Sequence, residues 1–156
     1  MIKIDIPGYK RIEAGHLVLD FNGTLATDGK LIPGTLQLLE KLSSQLDIHV
    51  ITADTYGTSE KELKGVNCRH EIVSPMMQDI QKEMYVVNLG SAHVIAIGNG
   101  QNDVLMFRRS ALSIMVIQRE GAFGKLMTVS DIVCFSINDA LELLLSPIRI
   151  VATLRK

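Results

Sequence analysis

The chain alternates short apolar runs rich in β-branched residues with segments whose apolar residues recur at helical spacing. An opening strand over Ile2–Ile6 is expected to pair at a sheet edge or to form a subunit contact. Strands that alternate with helices are typical of βαβ units, so the pattern predicts an α/β fold around a mostly parallel sheet. Beyond the opening strand, we predict strands over residues 17–19, 48–51, 71–73, 94–97, 112–117 and 132–135.

Leucines at spacings of three and four predict the clearest helix, over residues 35–46. A loop is expected around Gly121 and Gly124, and Pro147 is expected to end the last helix. The chain contains no internal repeat, low-complexity segment or linker, so we predict a single domain over residues 1–156. The other predicted helices cover residues 58–64, 77–89, 101–110 and 138–145.

The composition excludes several classes of protein. The chain has 156 residues, of which 47% are hydrophobic, enough to bury a core without disulfide or metal cross-links. Lys and Arg number 16 against 17 Asp and Glu, a balance that argues against nucleic-acid binding through bulk positive charge. The apolar runs are much shorter than the roughly 20 residues that span a bilayer, and no secretory signal is visible. We therefore expect a cytoplasmic chain that binds neither nucleic acid nor membrane.

The two cysteines, Cys68 and Cys134, lie far apart in the sequence. Their spacing matches neither a metal-binding or redox pair nor a disulfide framework. We therefore expect two buried thiols in a reducing compartment.

Three polar clusters directly follow predicted strands, and they are residues 20–24, 52–54 and 98–103. Lys82 lies on the helix that precedes the last cluster. In an open parallel sheet, ligands bind at the carboxyl ends of the strands. We therefore expect these polar side chains to converge at one edge of the sheet.

Each cluster also has an explanation that needs no function. Asn22 and Gly23 form a dipeptide that favours a hairpin turn, which would leave Asp20 merely solvated. Thr52 would cap the next helix, and Lys82 would be an ordinary surface lysine. Residues 98–103 would form a tight turn that opens a helix. The order of all four features along the chain favours a functional site over four coincidences.

Together the four features resemble the motifs of the haloacid dehalogenase (HAD) superfamily. Those motifs are an Asp-initiated segment ending in Gly-Thr, a Thr or Ser, a Lys, and a Gly-rich acidic loop. Within the superfamily, the Gly-Thr-Leu segment and residues 94–103 are similar to the phosphorylation domain of P-type ATPases, here as a soluble stand-alone version. The resemblance implies a three-layer, Rossmann-like fold and a hydrolase of the phosphatase or ATPase type. The matching residues are Asp20, Gly23, Thr24, Thr52, Lys82 and the loop 98–103.

The resemblance also implies a role for each residue. Asp20 would be the nucleophile that forms an aspartyl phosphate. Thr52 and Lys82 would hold the phosphoryl oxygens. Gly23 would let the backbone approach the phosphate, and its N–H would be a further hydrogen-bond donor to the phosphoryl oxygens. The ligands of a Mg²⁺ cofactor would be Asp20, the main-chain carbonyl of Asn22, Asn99 and Asp103.

Two positions depart from the superfamily pattern. Asn22 stands where phosphatases of the superfamily carry a second Asp that acts as general acid and base, and an amide cannot shuttle a proton. Such help is typically worth about 10²–10⁴-fold, so substrates with good leaving groups, such as phosphoanhydrides and acyl phosphates, are favoured over sugar phosphates. Asn99 stands where a metal-binding Asp is common, which would weaken Mg²⁺ binding without abolishing it.

The spacing between the motifs leaves no room for a cap domain. In capless families a neighbouring subunit commonly covers the site, so we expect a homo-oligomer, with Ile2–Ile6 or the tail 148–154 as candidate contacts. The leading hypothesis is a Mg²⁺-dependent phosphohydrolase acting on a small phosphorylated substrate, such as a nucleotide. The alternative is a catalytically weakened phosphate-binding or regulatory module that uses the same site. A third hypothesis is an assembly protein whose open site docks another macromolecule.

Overall fold

The structure is a computed structural model that describes all residues from Met1 to Lys156. The strands are β1 (Ile2–Ile6), β2 (Lys10–Ala14), β3 (His16–Asp20), β4 (Ala26–Thr27), β5 (Lys30–Leu31), β6 (Asp47–Thr52), β7 (Arg69–Ile72), β8 (Val94–Gly98), β9 (Leu112–Val116) and β10 (Ile132–Cys134). The α-helices are α1 (Thr35–Ser43), α2 (Ser59–Glu62), α3 (Gln78–Leu89), α4 (Val104–Arg109), α5 (Ile137–Leu145) and α6 (Pro147–Leu154). Short 3₁₀ helices cover Ser91–His93, Gln101–Asp103 and Gly124–Val129.

The central sheet has six strands in the order β10-β9-β8-β3-β6-β7, and every neighbouring pair is parallel. This confirms the predicted α/β fold with a parallel sheet. The inner strands are buried almost throughout because their runs are continuously apolar, as is typical of parallel strands covered on both faces. Helices α1 and α5 contribute to one apolar cluster, and α3 and α4 contribute to a second one, which gives the three layers.

The amino-terminal strand differs from the prediction. β1 does not join the central sheet but pairs antiparallel with β2, a strand that the hydrophobic pattern did not predict. Its apolar residues Ile2, Ile4 and Ile6 are each 3% exposed or less, because this side of the hairpin packs into the core with α6. The apolar face of β1 is therefore used within the chain and does not provide a subunit contact.

The last helix also differs. The predicted helix does end before Pro147, at Leu145, but Pro147 then begins α6 instead of a loose tail. Proline is well tolerated at the first helical position, where its missing N–H would have no partner in any case. Ile150 of α6 is buried, whereas Ile148 is largely exposed.

Smaller differences concern helix ends and loops. The helix predicted over 35–46 stops at Ser43, and the one predicted over 101–110 divides into a 3₁₀ turn and α4. Both cysteines are free; Cys134 is buried, and Cys68 is half-buried. No helix in the structure combines the length and the apolar character needed to cross a bilayer.

No cap domain interrupts the core. Only the β4–β5 hairpin and α1 lie between β3 and β6, and only α2 and β7 lie between β6 and α3. The hairpin turns at Asp28 and Gly29, whose positive φ angles of 51° and 71° suit a tight antiparallel turn. Its tip is bonded on two sides. Thr58 Oγ1 donates to the Gly29 carbonyl at 2.6 Å, and the Asp28 N–H donates to Glu120 Oε1 at 2.7 Å.

Candidate active site

The carboxyl edge of the sheet brings three of the predicted residues into one hydrogen-bonded cluster. Asp20 ends β3, Lys82 reaches in from α3, and Asp103 follows β8 after a short turn. Lys82 Nζ donates to Asp20 Oδ1 and to Asp103 Oδ1, both at 2.7 Å. Lys82 has no exposed surface, so the explanation of Lys82 as a surface lysine is wrong.

The charges of this cluster follow from its burial. Burial raises the pKa of Asp20 to about 6, against the opposing effect of the Lys82 ammonium. Burial alone would lower the pKa of Lys82, but Asp103 and Asp20 outweigh it and raise that pKa above its ordinary value. At neutral pH the cluster therefore contains an ionised Asp20 beside a protonated lysine, the state that a nucleophilic carboxylate needs.

Asp103 also holds the loop that follows β8. Its Oδ2 accepts the main-chain N–H groups of Asn99 and Gly100 at 3.0 and 2.9 Å, so both of its oxygens are hydrogen-bonded. A Cβ at Gly98 would lie 2.4 Å from the same oxygen, which explains the glycine. Asp103 thus orients Lys82, and its predicted role as a metal ligand stays a prediction.

The loop of residues 22–24, called here the 22–24 loop, does not form a hairpin turn. β3 pairs with β6 in parallel, so the explanation of Asn22 and Gly23 as a simple hairpin turn is wrong. Gly23 has a φ of 75°, and a Cβ there would lie 2.3 Å from Asn99 Nδ2, so only glycine fits. The Gly23 N–H donates to the Ala26 carbonyl at 2.9 Å, so as the loop stands this amide is not free for phosphate. The N–H of Asn22, by contrast, has no protein partner.

Thr52 is buried at the end of β6 and does not cap a helix, because α2 begins only at Ser59. Thr52 Oγ1 accepts the N–H of Asp54 at 2.8 Å. The hydroxyl proton of Thr52 therefore remains available for donation, as the predicted phosphate-binding role requires.

Asp54 is a residue whose structural role the sequence did not reveal. It adopts a left-handed conformation with φ 49°, and its Oδ1 accepts the N–H groups of Thr58 and Ser59 at 3.1 and 3.0 Å. It thereby fixes the loop that follows Thr52. The only sequence signal was its place in the polar cluster after β6.

Asn99 connects the loop after β8 to the 22–24 loop. Its Oδ1 accepts the Thr24 hydroxyl at 3.2 Å, and its Nδ2 donates to the Gly121 carbonyl at 3.1 Å. It is 9% exposed and lies directly against Gly23. The structure therefore places Asn99 beside the predicted site.

The donor groups at this edge fit a hard divalent cation. Asn22 Oδ1 is the one buried side-chain polar atom without a hydrogen-bond partner, a condition that an added ligand would relieve. No group of three or more His, Cys, Asp and Glu side chains is arranged to hold a metal ion. The available donors are instead carboxylate, amide and main-chain oxygens, the ligand types that Mg²⁺ prefers.

Comparison with known proteins places this geometry in context. No family model matches the chain. Uncharacterized protein MJ0073 of Methanocaldococcus jannaschii is 53% identical over 62 residues, which are 40% of this chain and 67% of that protein. Uncharacterized protein MJ0072 of the same organism is 44% identical over 39 residues, which are 25% of this chain and 89% of that protein.

Solved structures share the fold at low sequence identity. A protein of Legionella pneumophila assigned to subfamily III A of the HAD superfamily superposes with a TM-score of 0.72 at 14% identity, over 90% of this chain and 86% of that one. The cobalt-bound deoxy-D-mannose-octulosonate 8-phosphate phosphatase of Haemophilus influenzae superposes with a TM-score of 0.71 at 12% identity, over 86% of this chain and 88% of that one. A 3-deoxy-D-manno-octulosonate 8-phosphate phosphatase of Moraxella catarrhalis was solved in complex with magnesium, phosphate and KDO. It superposes with a TM-score of 0.66 at 19% identity, over 90% of this chain and 92% of that one. The chain therefore has the HAD fold.

Proposed function

We propose that this chain, which belongs to the same family as MJ0073 of M. jannaschii and has the HAD fold, is a Mg²⁺-dependent phosphohydrolase. The observation that carries the proposal is the buried cluster of Asp20, Lys82 and Asp103 at the carboxyl end of the central strand. Such a cluster is costly to build for stability alone, because desolvation offsets much of the attraction between buried charges. It is well suited to receiving a phosphoryl group.

In the proposed reaction, a carboxylate oxygen of Asp20 forms a bond to phosphorus while the bond from phosphorus to the leaving group breaks. The leaving group departs with the electron pair, and water later cleaves the aspartyl phosphate to release inorganic phosphate. Lys82 balances negative charge on the phosphoryl oxygens, and the Thr52 hydroxyl donates a hydrogen bond to one of them. The unpartnered N–H of Asn22 provides a further donor.

Mg²⁺ would be held by Asp20 and the oxygens of Asn22, with Asn99 and Asp103 as the remaining predicted ligands. When bound, it supplies positive charge that offsets the charge of the transferring phosphoryl group. The phosphatases of H. influenzae and M. catarrhalis that share the fold were crystallised with cobalt and with magnesium, which supports this assignment.

Asn22 narrows the proposed substrate class. Because an amide cannot protonate a leaving alkoxide, the favoured substrates are phosphoanhydrides and acyl phosphates, such as a nucleoside triphosphate or acetyl phosphate. The same lack of a base slows attack of water on the aspartyl phosphate. We therefore expect the intermediate to accumulate during turnover.

The test is capture of the intermediate. Radiolabelled ATP or acetyl phosphate, with Mg²⁺, should label the wild-type protein, and the label should be stable in acid and labile to hydroxylamine. Asp20→Asn should take up none, while Asp54→Asn, which alters a carboxylate that caps a neighbouring loop, should still be labelled. Labelling that persists in Asp20→Asn would refute the assignment of the nucleophile.

A second candidate function is a phosphate-binding module with little turnover. Two observations favour it. Asn22 and Asn99 carry amides where catalysis would be helped by carboxylates, and the Gly23 N–H is already bonded to Ala26 and so does not contact phosphate. Its signature is saturable binding of beryllium fluoride or phosphate with Mg²⁺, combined with no hydrolysis across phosphoesters and anhydrides. Turnover of any anhydride that depends on Asp20 would exclude it.

We also propose that the protein assembles as a homo-oligomer, because no cap covers the site. Since the apolar face of β1 is buried within the chain, the remaining candidate contact is the outer face of α6, where Ile148 is exposed. Light scattering coupled to size exclusion should show a multimer that Ile148→Glu disrupts. A monomer at micromolar concentration would contradict this.

A further inference from the structure

We propose that Gln118 is a positioning residue that fixes the 22–24 loop beside Asp20, an inference that rests on the proposed function. Gln118 lies two residues after β9, outside all four motif segments. Its side chain nevertheless reaches the 22–24 loop from a part of the chain more than ninety residues away.

The amide of Gln118 is fully hydrogen-bonded at both ends. Its Nε2 donates to the carbonyls of Gly23 at 3.0 Å and Thr24 at 2.8 Å. Its Oε1 accepts the N–H of Ile137, at the start of α5, at 2.7 Å. A side chain in this place must therefore offer two donors and one acceptor, which is what a glutamine amide provides.

The 22–24 loop needs such an external anchor. The carbonyls of Gly23 and Thr24 have no other protein partner. Gly23 lacks a Cβ and has a positive φ, so rotation of the peptide that joins it to Thr24 meets little steric resistance. Without Gln118, the negative ends of two peptide dipoles would be free to reorient next to a site that has to bind an anion.

The same turn of the chain also holds the second loop of the site. The N–H of Gly121 donates to the carbonyl of Gln118 at 2.9 Å, and the Gly121 carbonyl accepts Asn99 Nδ2 at 3.1 Å. Because Thr24 is hydrogen-bonded to Asn99, the loops after β3 and β8 are braced by one turn after β9. Gln118 is the part of that brace that touches the 22–24 loop directly.

The first measurement is amide hydrogen exchange of the protein without metal or substrate. Gln118→Glu keeps the size and the acceptor of the side chain but replaces both donors with carboxylate oxygens that face two carbonyls. We expect exchange at residues 23 and 24, whose N–H groups are hydrogen-bonded, to rise at least about tenfold, the factor that corresponds to losing about 1.4 kcal/mol of loop stability.

The matched control is Asn138→Asp. Asn138 makes the same kind of contact elsewhere, because its Nδ2 donates to the Pro33 carbonyl at 2.9 Å and its Oδ1 accepts the Thr35 hydroxyl at 3.2 Å. It should leave exchange at residues 23 and 24 unchanged. Unchanged exchange in Gln118→Glu, or an equal rise in Asn138→Asp, would overturn the proposal.

The second measurement is hydrolysis of acetyl phosphate with Mg²⁺. In Gln118→Glu we expect kcat to fall about 10–100-fold with KM changed less than threefold, because a misplaced loop penalises the transition state more than binding. Faster exchange with normal kcat would overturn the positioning role. Absence of hydrolysis and of labelling in the wild type would instead refute the proposed function, while the exchange result would still decide whether Gln118 fixes the loop.

Discussion

Two polar clusters lie towards opposite ends of β3, β6 and α3, and they differ in charge and in burial. At the carboxyl edge, Asp20 of β3 and Lys82 of α3 form the cluster with Asp103, and Thr52 ends the neighbouring strand β6. At the amino edge, the same elements bring together His16, His49 and Tyr85. The first cluster is built from charged side chains, and the second is built from two histidines and a tyrosine.

His49 is the buried centre of the amino-edge cluster. His49 Nε2 lies 3.2 Å from His16 Nδ1, and His49 Nδ1 lies 3.0 Å from the Tyr85 hydroxyl, so both ring nitrogens of His49 have partners. Burial lowers the pKa of His49 to about 4, so the ring is neutral at physiological pH. His49 therefore has no unpaired ring nitrogen that a ligand would have to satisfy.

The carboxyl-edge cluster is open by comparison. It keeps an ammonium between two carboxylates, and the neighbouring Asn22 has a buried oxygen and an N–H without partners. A buried polar cluster therefore indicates function when its groups are charged and incompletely hydrogen-bonded, whereas a buried neutral side chain with all its partners, such as His49, is explained by packing. Four measurements test this contrast.

The largest effect is expected from Lys82→Met. Removal of the ammonium leaves Asp20 and Asp103 as buried neighbours of like charge, which should cost about 3–5 kcal/mol of unfolding free energy at pH 7. Urea denaturation measures this loss, and the deficit should shrink as the pH falls, because protonation of Asp20 removes the repulsion between the two carboxylates. A loss below 1 kcal/mol would show that the cluster is not buried as described.

The next effect is the pH dependence of the amino-edge cluster. Because the pKa of His49 falls from 6.5 to about 4 on folding, the unfolded chain takes up a proton first as the pH drops. The neutral His49 ring therefore contributes up to about 3 kcal/mol to the unfolding free energy. This contribution is complete above pH 6.5 and is lost as the pH falls towards 4.

Denaturation of His49→Gln between pH 7.5 and 4.5 tests this. The variant lacks the titrating ring and should lose less stability than the wild type over that range. His93→Gln, which removes an exposed histidine, should follow the wild-type curve. Parallel curves for His49→Gln and wild type would contradict the assignment.

Mg²⁺ should stabilise the carboxyl-edge cluster selectively. At a hundredfold excess over its dissociation constant, a ligand adds about 2.7 kcal/mol to the unfolding free energy. Calorimetry should show a higher Tm with Mg²⁺ for the wild type and for His49→Gln, and little change for Asp20→Asn. An equal shift in all three proteins would point to binding elsewhere.

The smallest effect is expected from Tyr85→Phe. It removes one hydrogen bond from His49 and should cost about 1 kcal/mol. Labelling of Asp20 should be unchanged because Lys82, one turn earlier on α3, keeps its two carboxylates. A large loss of labelling with little loss of stability would mean that the two clusters are coupled.

Much of this arrangement follows from local sequence. The buried strands of the central sheet were predicted because apolar runs bounded by polar residues specify buried parallel strands. The edge strand β7 is polar and largely exposed, and the pattern placed it two residues late, over residues 71–73. The meeting of Asp20, Thr52, Lys82 and Asp103 follows from their places after those strands and on α3. Parallel topology alone brings such positions to one edge.

Other features depend on distant parts of the chain. β2 was missed because its residues alternate weakly, and its pairing is secured by β1 and α6. Gln118 and His49 give no local signal, since their roles come from partners far away in sequence. That Gly23 commits its N–H to Ala26 likewise depends on how the following residues turn back.

The β4–β5 hairpin has a consequence for turnover. Its tip is hydrogen-bonded to Thr58 on one side and to Glu120 on the other, so the hairpin is anchored and is not a freely moving flap. Substrate would then bind, and product would leave, without any movement of the hairpin. The slow step of the cycle would then be the attack of water on the aspartyl phosphate, so the maximal rate should hardly respond to solvent viscosity or to the identity of the leaving group.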